Sequence, residues 1–273
     1  MERYLITGAS GFIGQALCKK LTKLGHQVLP LPRKWDSLPE FDCLIHLAAY
    51  GNKYNQEDEQ EMFDSNILLL WKLLQETKNM KYKAFINTAT SSIYGEKHKP
   101  MVESDSLDSD RFYGVTKACG SLLVRAFAKK YDKPAVTVVP FSVYGPNDDP
   151  KHFIPVAVNA FKNNKEFKLA PGMHDWIYIE DYIQGVFKLI EKAELLKGMM
   201  VNIGTGKQFS NLEVIAILRQ LFSKPGKIKK VEQMRDYDTQ MWVADNSLLK
   251  ELGWRQQFSL EEGLERCVYG NKE

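Results

Sequence analysis

Two periodicities take turns along this chain, and the first thirty residues show both. Tyr4, Leu5 and Ile6 form a short continuous apolar run of the kind a buried strand makes. Ile13, Leu17, Leu21 and Leu24 then recur at helical spacing until Gly25. His26 to Leu31 reads as a second strand, stopped by Pro30 and Pro32, and Cys43 to Ala49 is another apolar run after a short link. A helix is expected over Glu59 to Thr77, with Met62, Phe63, Asn66, Leu69, Leu70, Leu73 and Leu74 on or near its inner face. A strand at Ala84 to Asn87, a polar loop to Arg111, a helix from about Tyr113 to Lys130 and a strand at Ala135 to Val139 follow. Alternating strands and helices predict parallel crossovers and a doubly wound α/β sheet covered on both faces. The gap between the second and third apolar runs is too short for a full crossover unit. One crossover helix, with or without a strand, is therefore expected to be missing there.

Beyond Tyr144-Gly145-Pro146 the elements shorten. A helix near Phe153 to Asn163, a strand at Trp176 to Ile179, a helix from Asp181 to Lys192 and a strand at Met200 to Ile203 are expected. Asp245 or Asn246 can cap a helix at Leu248 to Leu252, and Ser259 with Glu262 makes a capping box ahead of Leu264 and Val268.

Composition narrows the function classes. With 44% hydrophobic and 26% charged residues in 273, the chain has enough apolar content for a full core. A net charge of +3 is too mild for a nucleic-acid binder, and the lysine-rich piece from Lys224 to Lys230 reads as a solvated turn. The four cysteines stand singly in apolar surroundings, as expected in a reducing compartment, and the five histidines show no metal-binding grouping, so no metal is expected. No apolar run approaches the roughly 20 residues of a membrane span. Met1 to Ser10 is already strand and loop, so no secretion signal and a cytoplasmic location are expected.

The glycines Gly8, Gly11 and Gly14 are spaced G-x-x-G-x-x-G between the first strand and the first helix. Glycine permits a tight turn and close backbone approach, and a helix N-terminus offers unpaired N–H groups and a positive dipole end to a pyrophosphate. Together they predict a dinucleotide site formed by Gly8, Ser10, Gly11, Phe12, Ile13 and Gly14.

Tyr113 and Lys117 lie four residues apart, on one helical face. A free tyrosine has a pKa of about 10, and lowering it by about 3 units needs roughly 4 kcal/mol of preference for the phenolate. A lysine about 4 Å away supplies that at an effective dielectric of about 20, so the lysine is expected to bring the phenol down. Thr88-Ala89-Thr90-Ser91-Ser92 leaves a strand at the carboxyl edge of the sheet, where a hydroxyl can hold a substrate carbonyl or alcohol while the tyrosine exchanges its proton.

With the glycine motif, the hydroxyl loop and Tyr113/Lys117 in that order, the chain resembles the extended short-chain dehydrogenase/reductase family, the epimerases, dehydratases and reductases of nucleotide sugars. The resemblance runs almost end to end. It implies a Rossmann-like domain from 1–145 with 175–203, and a smaller, mostly helical substrate-binding domain from 146–174 with 204–273. Thr7-Gly8 to Gly14 is similar to T-G-x-x-G-x-x-G, and His46-Leu47-Ala48-Ala49 to the cofactor-lining H-x-A-A. Asn66 takes the place of the Asn in N-x-x-G-T, and Thr90 that of the catalytic Ser/Thr. The resemblance makes Thr90, Tyr113 and Lys117 catalytic, with Lys117 holding the nicotinamide ribose. It makes Ser91, Ser92, Ser142, His174 and Arg235 substrate contacts, Arg235 by gripping a diphosphate. Family dehydratases follow the Thr with Asp-Glu, whereas Ser91-Ser92 follow here, so the acid and base of dehydration are missing. His174 stands where many relatives have Arg, and Ser142 where several have Asn.

An acidic residue at the end of the second strand accepts from a ribose 2′-OH, whereas a 2′-phosphate calls for cations. Aligned with the family, Pro32 takes the acidic position and Arg33-Lys34 follow, so NADP(H) is expected over NAD(H), with Asp36 as the rival ribose contact. The expected activity is NADPH-dependent reduction of a 4-keto-(deoxy)sugar nucleotide, with a nucleoside-diphosphate sugar as partner. The alternatives are a 4-epimerase with tightly bound NAD and, in another class, a non-catalytic NAD(P)-sensing protein. The family also implies a possible homodimer, for which Leu122, Leu123 and Phe127 could serve if they are not core residues.

Overall fold

The computed structural model describes residues 1–53, 55–223, 226–231 and 241–270. β1 (Arg3–Thr7) leads into α1 (Phe12–Lys23), then β2 (Gln27–Leu31), β3 (Cys43–His46), α2 (Glu59–Phe63), a π-helical turn (Asp64–Leu68), α3 (Leu69–Thr77) and β4 (Ala84–Thr88). A 3₁₀ turn (Ser91–Tyr94), α4 (Phe112–Tyr131) and β5 (Ala135–Pro140) complete the first part. The second part runs β6 (Ser142–Tyr144), α5 (Phe153–Lys162), β7 (Phe167–Leu169), β8 (Met173–His174), β9 (Trp176–Tyr178), α6 (Ile179–Glu191) and β10 (Met200–Ile203). It ends with β11 (Phe209–Ser210), α7 (Asn211–Gln220), β12 (Ile228–Lys230), α8 (Ser247–Glu251) and α9 (Leu260–Tyr269).

Six strands form one parallel sheet in the order β10-β5-β4-β3-β1-β2. Its strands bury alternate residues on opposite faces, as the two-residue repeat requires. Tyr4, Ile6, Cys43, Ile45, Ala84, Ile86, Val136 and Val138 join the core under α1 and α6. Leu5, Leu44, Phe85 and Ala135 face Leu70, Leu73 and Leu74 of α3 and Val124, Phe127 and Ala128 of α4. The link from β2 to β3 contains no helix or strand and crosses past β1, so the crossover unit expected to be missing is absent. Pro30 was expected to stop β2 but lies inside it, opposite Ile6. β2 is the sheet's edge, where a residue without an N–H costs no ladder bond.

The second part is built of paired short strands, β6 with β9, β7 with β12 and β8 with β11, packed among α5, α7, α8 and α9. α7 is the element the periodicity missed. Its start is nonetheless written as a capping box, Ser210 with Glu213. The box at Ser259 and Glu262 starts α9 as expected. Asn246 does not cap α8 with its side chain. Its amide bonds the Gly204 carbonyl at 2.9 Å, and the Asp245 carboxylate instead accepts from the Ser247 N–H at 2.9 Å. Of the three residues named for a second copy, Phe127 is buried in the core, Leu123 packs at its margin, and Leu122 is 50% exposed. Among the described residues no helix is long and apolar enough to cross a membrane.

Candidate active site

The carboxyl ends of β1, β3 and β4 lie side by side at the sheet edge, the place of the ligand crevice in open α/β sheets. At its floor the turn after β1 reverses at Gly8, whose φ is +68°, and a Cβ there would stand 2.7 Å from the Ala48 N. The glycine turn thus packs directly on the Leu47-Ala48 backbone, which brings Leu47, Ala48 and Ala49 beside Gly8. Gly11 is the N-cap of α1 and supplies no side chain to its first-turn N–H groups. A cradle that a Cβ would fill, facing a helix end with open donors, fits a dinucleotide pyrophosphate. Gly8→Ala adds both a clash and left-handed strain, so affinity for NAD⁺ and NADPH is expected to fall about tenfold or more. Calorimetric titration checks this, and a change under about threefold would discard the cradle.

Arg33 and Lys34 are exposed just after β2, and neither takes part in an ion pair among the described residues. Between them and β3, Trp35 ties the link to α3: its indole donates to Glu76 at 2.7 Å, and the Lys72 ammonium sits 4.0 Å from its ring centre. Asp36 is exposed as well.

Thr90 caps the 3₁₀ turn, accepting from the Ser92 N–H at 3.3 Å, and its hydroxyl also donates to the Ser92 hydroxyl at 3.3 Å. Tyr113 starts the first turn of α4 with its phenol beside Thr90. Its ring lies against Gly51, where a Cβ would meet the ring at 3.0 Å. Lys117 lies one turn further along α4 and is only 4% exposed. The structure thus sets Thr90 beside Tyr113, with Lys117 one turn further along the same helix.

The electrostatics correct the sequence argument. Burial pushes the Tyr113 phenol up to about 12, against the pull of the Thr90 hydroxyl, and burial alone lowers Lys117 to about 8. Desolvation of both groups outweighs any pull of the ammonium on the phenol. Tyr113 is in the first turn of α4, at the positive end of the helix dipole.

Asn66 sits in the π turn, a helical irregularity that recurs at functional sites. Its side chain accepts from the Tyr50 N–H at 3.0 Å and donates to the Tyr50 carbonyl at 2.8 Å and to Thr116 of α4 at 3.0 Å. It therefore fixes the loop after β3 to the helix that carries Tyr113 and Lys117.

The residues expected to contact substrate divide. Ser142 and His174 come together, with Oγ and Nδ1 3.4 Å apart. Ser92 stays at the crevice beside Thr90. Ser91 is buried and accepts from the Trp242 indole at 2.9 Å, so its hydroxyl braces the loop that carries Thr90 against the second part. Trp242 was not anticipated, since nothing local in the sequence signals a contact over such a separation. Arg235 lies outside the described residues.

Residues 4–204 match the family described as NAD dependent epimerase/dehydratase family. A Bacillus subtilis protein named as an uncharacterized UDP-glucose epimerase, YtcB, is 27% identical, the match covering 96% of this chain and 95% of that one. The UDP-glucuronic acid 4-epimerase from Bacillus cereus, solved with UDP-glucuronic acid and NAD, superimposes with a TM-score of 0.85 at 27% identity, covering 98% of each chain. RMD from Pseudomonas aeruginosa, solved with NADPH, gives a TM-score of 0.88 over 98% of each chain, and at 19% identity the likeness is one of fold. With the glycine cradle, the three candidate catalytic residues and this match over most of its length, the chain belongs to the NAD dependent epimerase/dehydratase family.

Proposed function

We propose that the protein is a nucleotide-sugar 4-epimerase. The observation that carries this reading is the Thr90 hydroxyl beside the Tyr113 phenol, with Lys117 one turn on along α4. A bound nicotinamide supplies a centre that accepts a hydride from the sugar and returns it. Tyr113 takes the proton of the C4 hydroxyl as the carbonyl forms and gives it back to the opposite epimer. Thr90 orients that oxygen by a hydrogen bond, and the Lys117 charge favours the phenolate while it exists. Ser142, His174 and Arg235 are read as contacts to the nucleotide sugar, with 146–174 and 204–273 as the substrate-binding part and the rest as the dinucleotide-binding part. The two relatives at 27% identity, one named as an epimerase and one solved as a 4-epimerase, support this choice over reduction.

One observation favours a second reading. Arg33 and Lys34 stand exposed after β2, with Pro32 in the acidic position, an arrangement suited to a 2′-phosphate and so to NADPH-dependent reduction of a 4-keto-sugar nucleotide. Thr90, Tyr113 and Lys117 together weigh against a purely sensing role.

Purified protein is to be incubated with UDP-glucose and UDP-glucuronic acid, with products separated and nicotinamide absorbance followed. Epimerisation predicts the C4 epimer with no net change in absorbance. Stoichiometric loss of NADPH on adding a 4-keto-sugar nucleotide, without interconversion of the sugars, would replace the epimerase with the reductase. In that case the pair Arg33→Ala and Lys34→Ala is expected to raise KM for NADPH roughly tenfold or more and to leave NADH little changed.

A further inference from the structure

The 3₁₀ turn that Thr90 caps is anchored at both ends by residues distant in the chain. At its start the Ser91 hydroxyl accepts from the Trp242 indole at 2.9 Å. At its end the Tyr94 hydroxyl donates to the side-chain oxygen of Asn202, in β10, at 2.7 Å. The two anchors are tied to each other through Met101. The Asn202 amide donates to the Met101 carbonyl at 2.9 Å, and Met101 pairs with Ala244 as an isolated bridge. In that bridge the Met101 N–H donates to the Val243 carbonyl at 2.9 Å, and the Met101 carbonyl accepts from the Asp245 N–H at 2.8 Å. Trp242 directly precedes it, with its own N–H given to the Gln208 side chain at 2.9 Å. Asp175 completes the support by accepting from the Ala244 N–H at 3.1 Å.

The Thr90 hydroxyl is held less firmly by its local bonds. It accepts from the Ser92 N–H and donates to the Ser92 hydroxyl, both at 3.3 Å, longer than the usual reach of about 3.2 Å for an N–H donor and 3.0 Å for a hydroxyl. Bonds of that length fix an oxygen poorly. Ser91, one peptide further on, is 5% exposed and has the shorter bond, so the anchor on Ser91 decides where Thr90 lies. The turn also rests on α4, where a Cβ on Gly114 would stand 2.7 Å from the Ser92 carbonyl.

We infer that Trp242 is a positioning residue for Thr90: its indole N–H, acting through the Ser91 hydroxyl, holds the Thr90 hydroxyl beside the Tyr113 phenol. Ser91 then serves as a support for the turn and not as a contact to the sugar. The role assigned to Trp242 deepens, and rests on, the reading of Thr90 as the group that orients the sugar oxygen. It is the same for epimerisation and for reduction.

Two variants remove the bond from opposite sides. Trp242→Phe keeps an aromatic ring and loses the N–H, and Ser91→Ala loses the acceptor and leaves the ring in place. The first readout needs no turnover. In isotope-labelled protein, three-bond couplings to the Thr90 methyl are expected to report one side-chain rotamer in the parent and an average of rotamers in both variants. The second readout is the steady-state rate of whichever turnover the protein shows. Each variant is expected to lower kcat about five- to tenfold with KM within about twofold of the parent, and the two changes together to lower it no further. In a Thr90→Val background either change is expected to add less than about twofold, because the hydroxyl it places is gone. Should Trp242→Phe fail to fold, Ser91→Ala carries the same comparisons. A single Thr90 rotamer in both variants overturns the inference, whatever the rates. So does an undiminished loss of kcat in the Thr90→Val background, or a raised KM at unchanged kcat in Ser91→Ala, which would return Ser91 to the substrate. If Thr90→Val itself leaves turnover unchanged, the catalytic reading of Thr90 fails instead, and the couplings alone decide for or against Trp242.

Discussion

Tyr113→Phe is expected to give a folded protein that still binds its dinucleotide and turns nucleotide sugar over about 10³-fold more slowly, within the usual range for losing a positioned acid–base group. The phenylalanine ring refills the same space against Gly51 and Met62, so the change removes one hydroxyl and little packing. Burial holds that phenol up to about 12, which makes it a reluctant base until positive charge gathers beside it. Lys117 supplies such charge only while protonated. Its buried ammonium has been lowered to about 8, so the charge is present below that pH and is lost as pH rises through it. In the parent protein kcat/KM is accordingly expected to fall above about pH 8. Steady-state rates across pH, together with a melting curve of the variant, check both statements. Turnover within tenfold of the parent would take the proton transfer away from Tyr113.

Asp175→Ala is expected to unfold the second part or lower the melting point by about 10 °C or more. Asp175 is 0% exposed, and its two oxygens accept from the Thr205 N–H at 2.8 Å, the Thr205 hydroxyl at 2.6 Å, the Gly206 N–H at 3.0 Å and the Ala244 N–H at 3.1 Å. Alanine takes the acceptor from three N–H groups, of which those of the buried Thr205 and Ala244 cost about 1–3 kcal/mol each, while the Thr205 hydroxyl keeps the Lys207 carbonyl at 3.2 Å. That is a large share of the stability of an ordinary domain, about 5–15 kcal/mol. Asp175→Asn should cost less than alanine, because one oxygen can keep the Thr205 pair while the amide faces the other two N–H groups. Thermal and denaturant unfolding of both variants measures this, and a loss under about 3 °C for alanine would show that water or rearranged backbone takes over the donors. The same carboxylate fixes Ala244, two residues past Trp242, so milder variants are expected to disturb Thr90 through Ser91 as well.

How far the chain could be read in advance depended on the range of the interactions involved. The β1–glycine–α1 unit was legible because strand period, glycine spacing and helix period are all local. The missing crossover followed from chain length alone. The start of α7 is spelled out locally by Ser210 and Glu213, but its three buried apolar residues Val214, Ile215 and Leu218 span little more than one turn and set no clear period. Asn66 could be placed by resemblance, but the π turn that lets it clasp Tyr50 and Thr116 leaves no mark in composition or period. The Trp242–Ser91 contact joins residues 151 positions apart and had no local signal. Spacing reveals the charged neighbour of Tyr113 but not how much water the fold removes from both groups, and burial holds the phenol up to about 12.

Omitting one crossover leaves β2 with a free outer border, the kind of open rim on which another chain could extend the sheet. Pro30 is the fourth of that strand's five residues and has no hydrogen to offer an incoming backbone, and Pro32 follows directly beyond the strand's end. The shortened sheet therefore carries its own guard against sticking to its copies, and replacing Pro30 with valine would open a site for aggregation without touching the crevice.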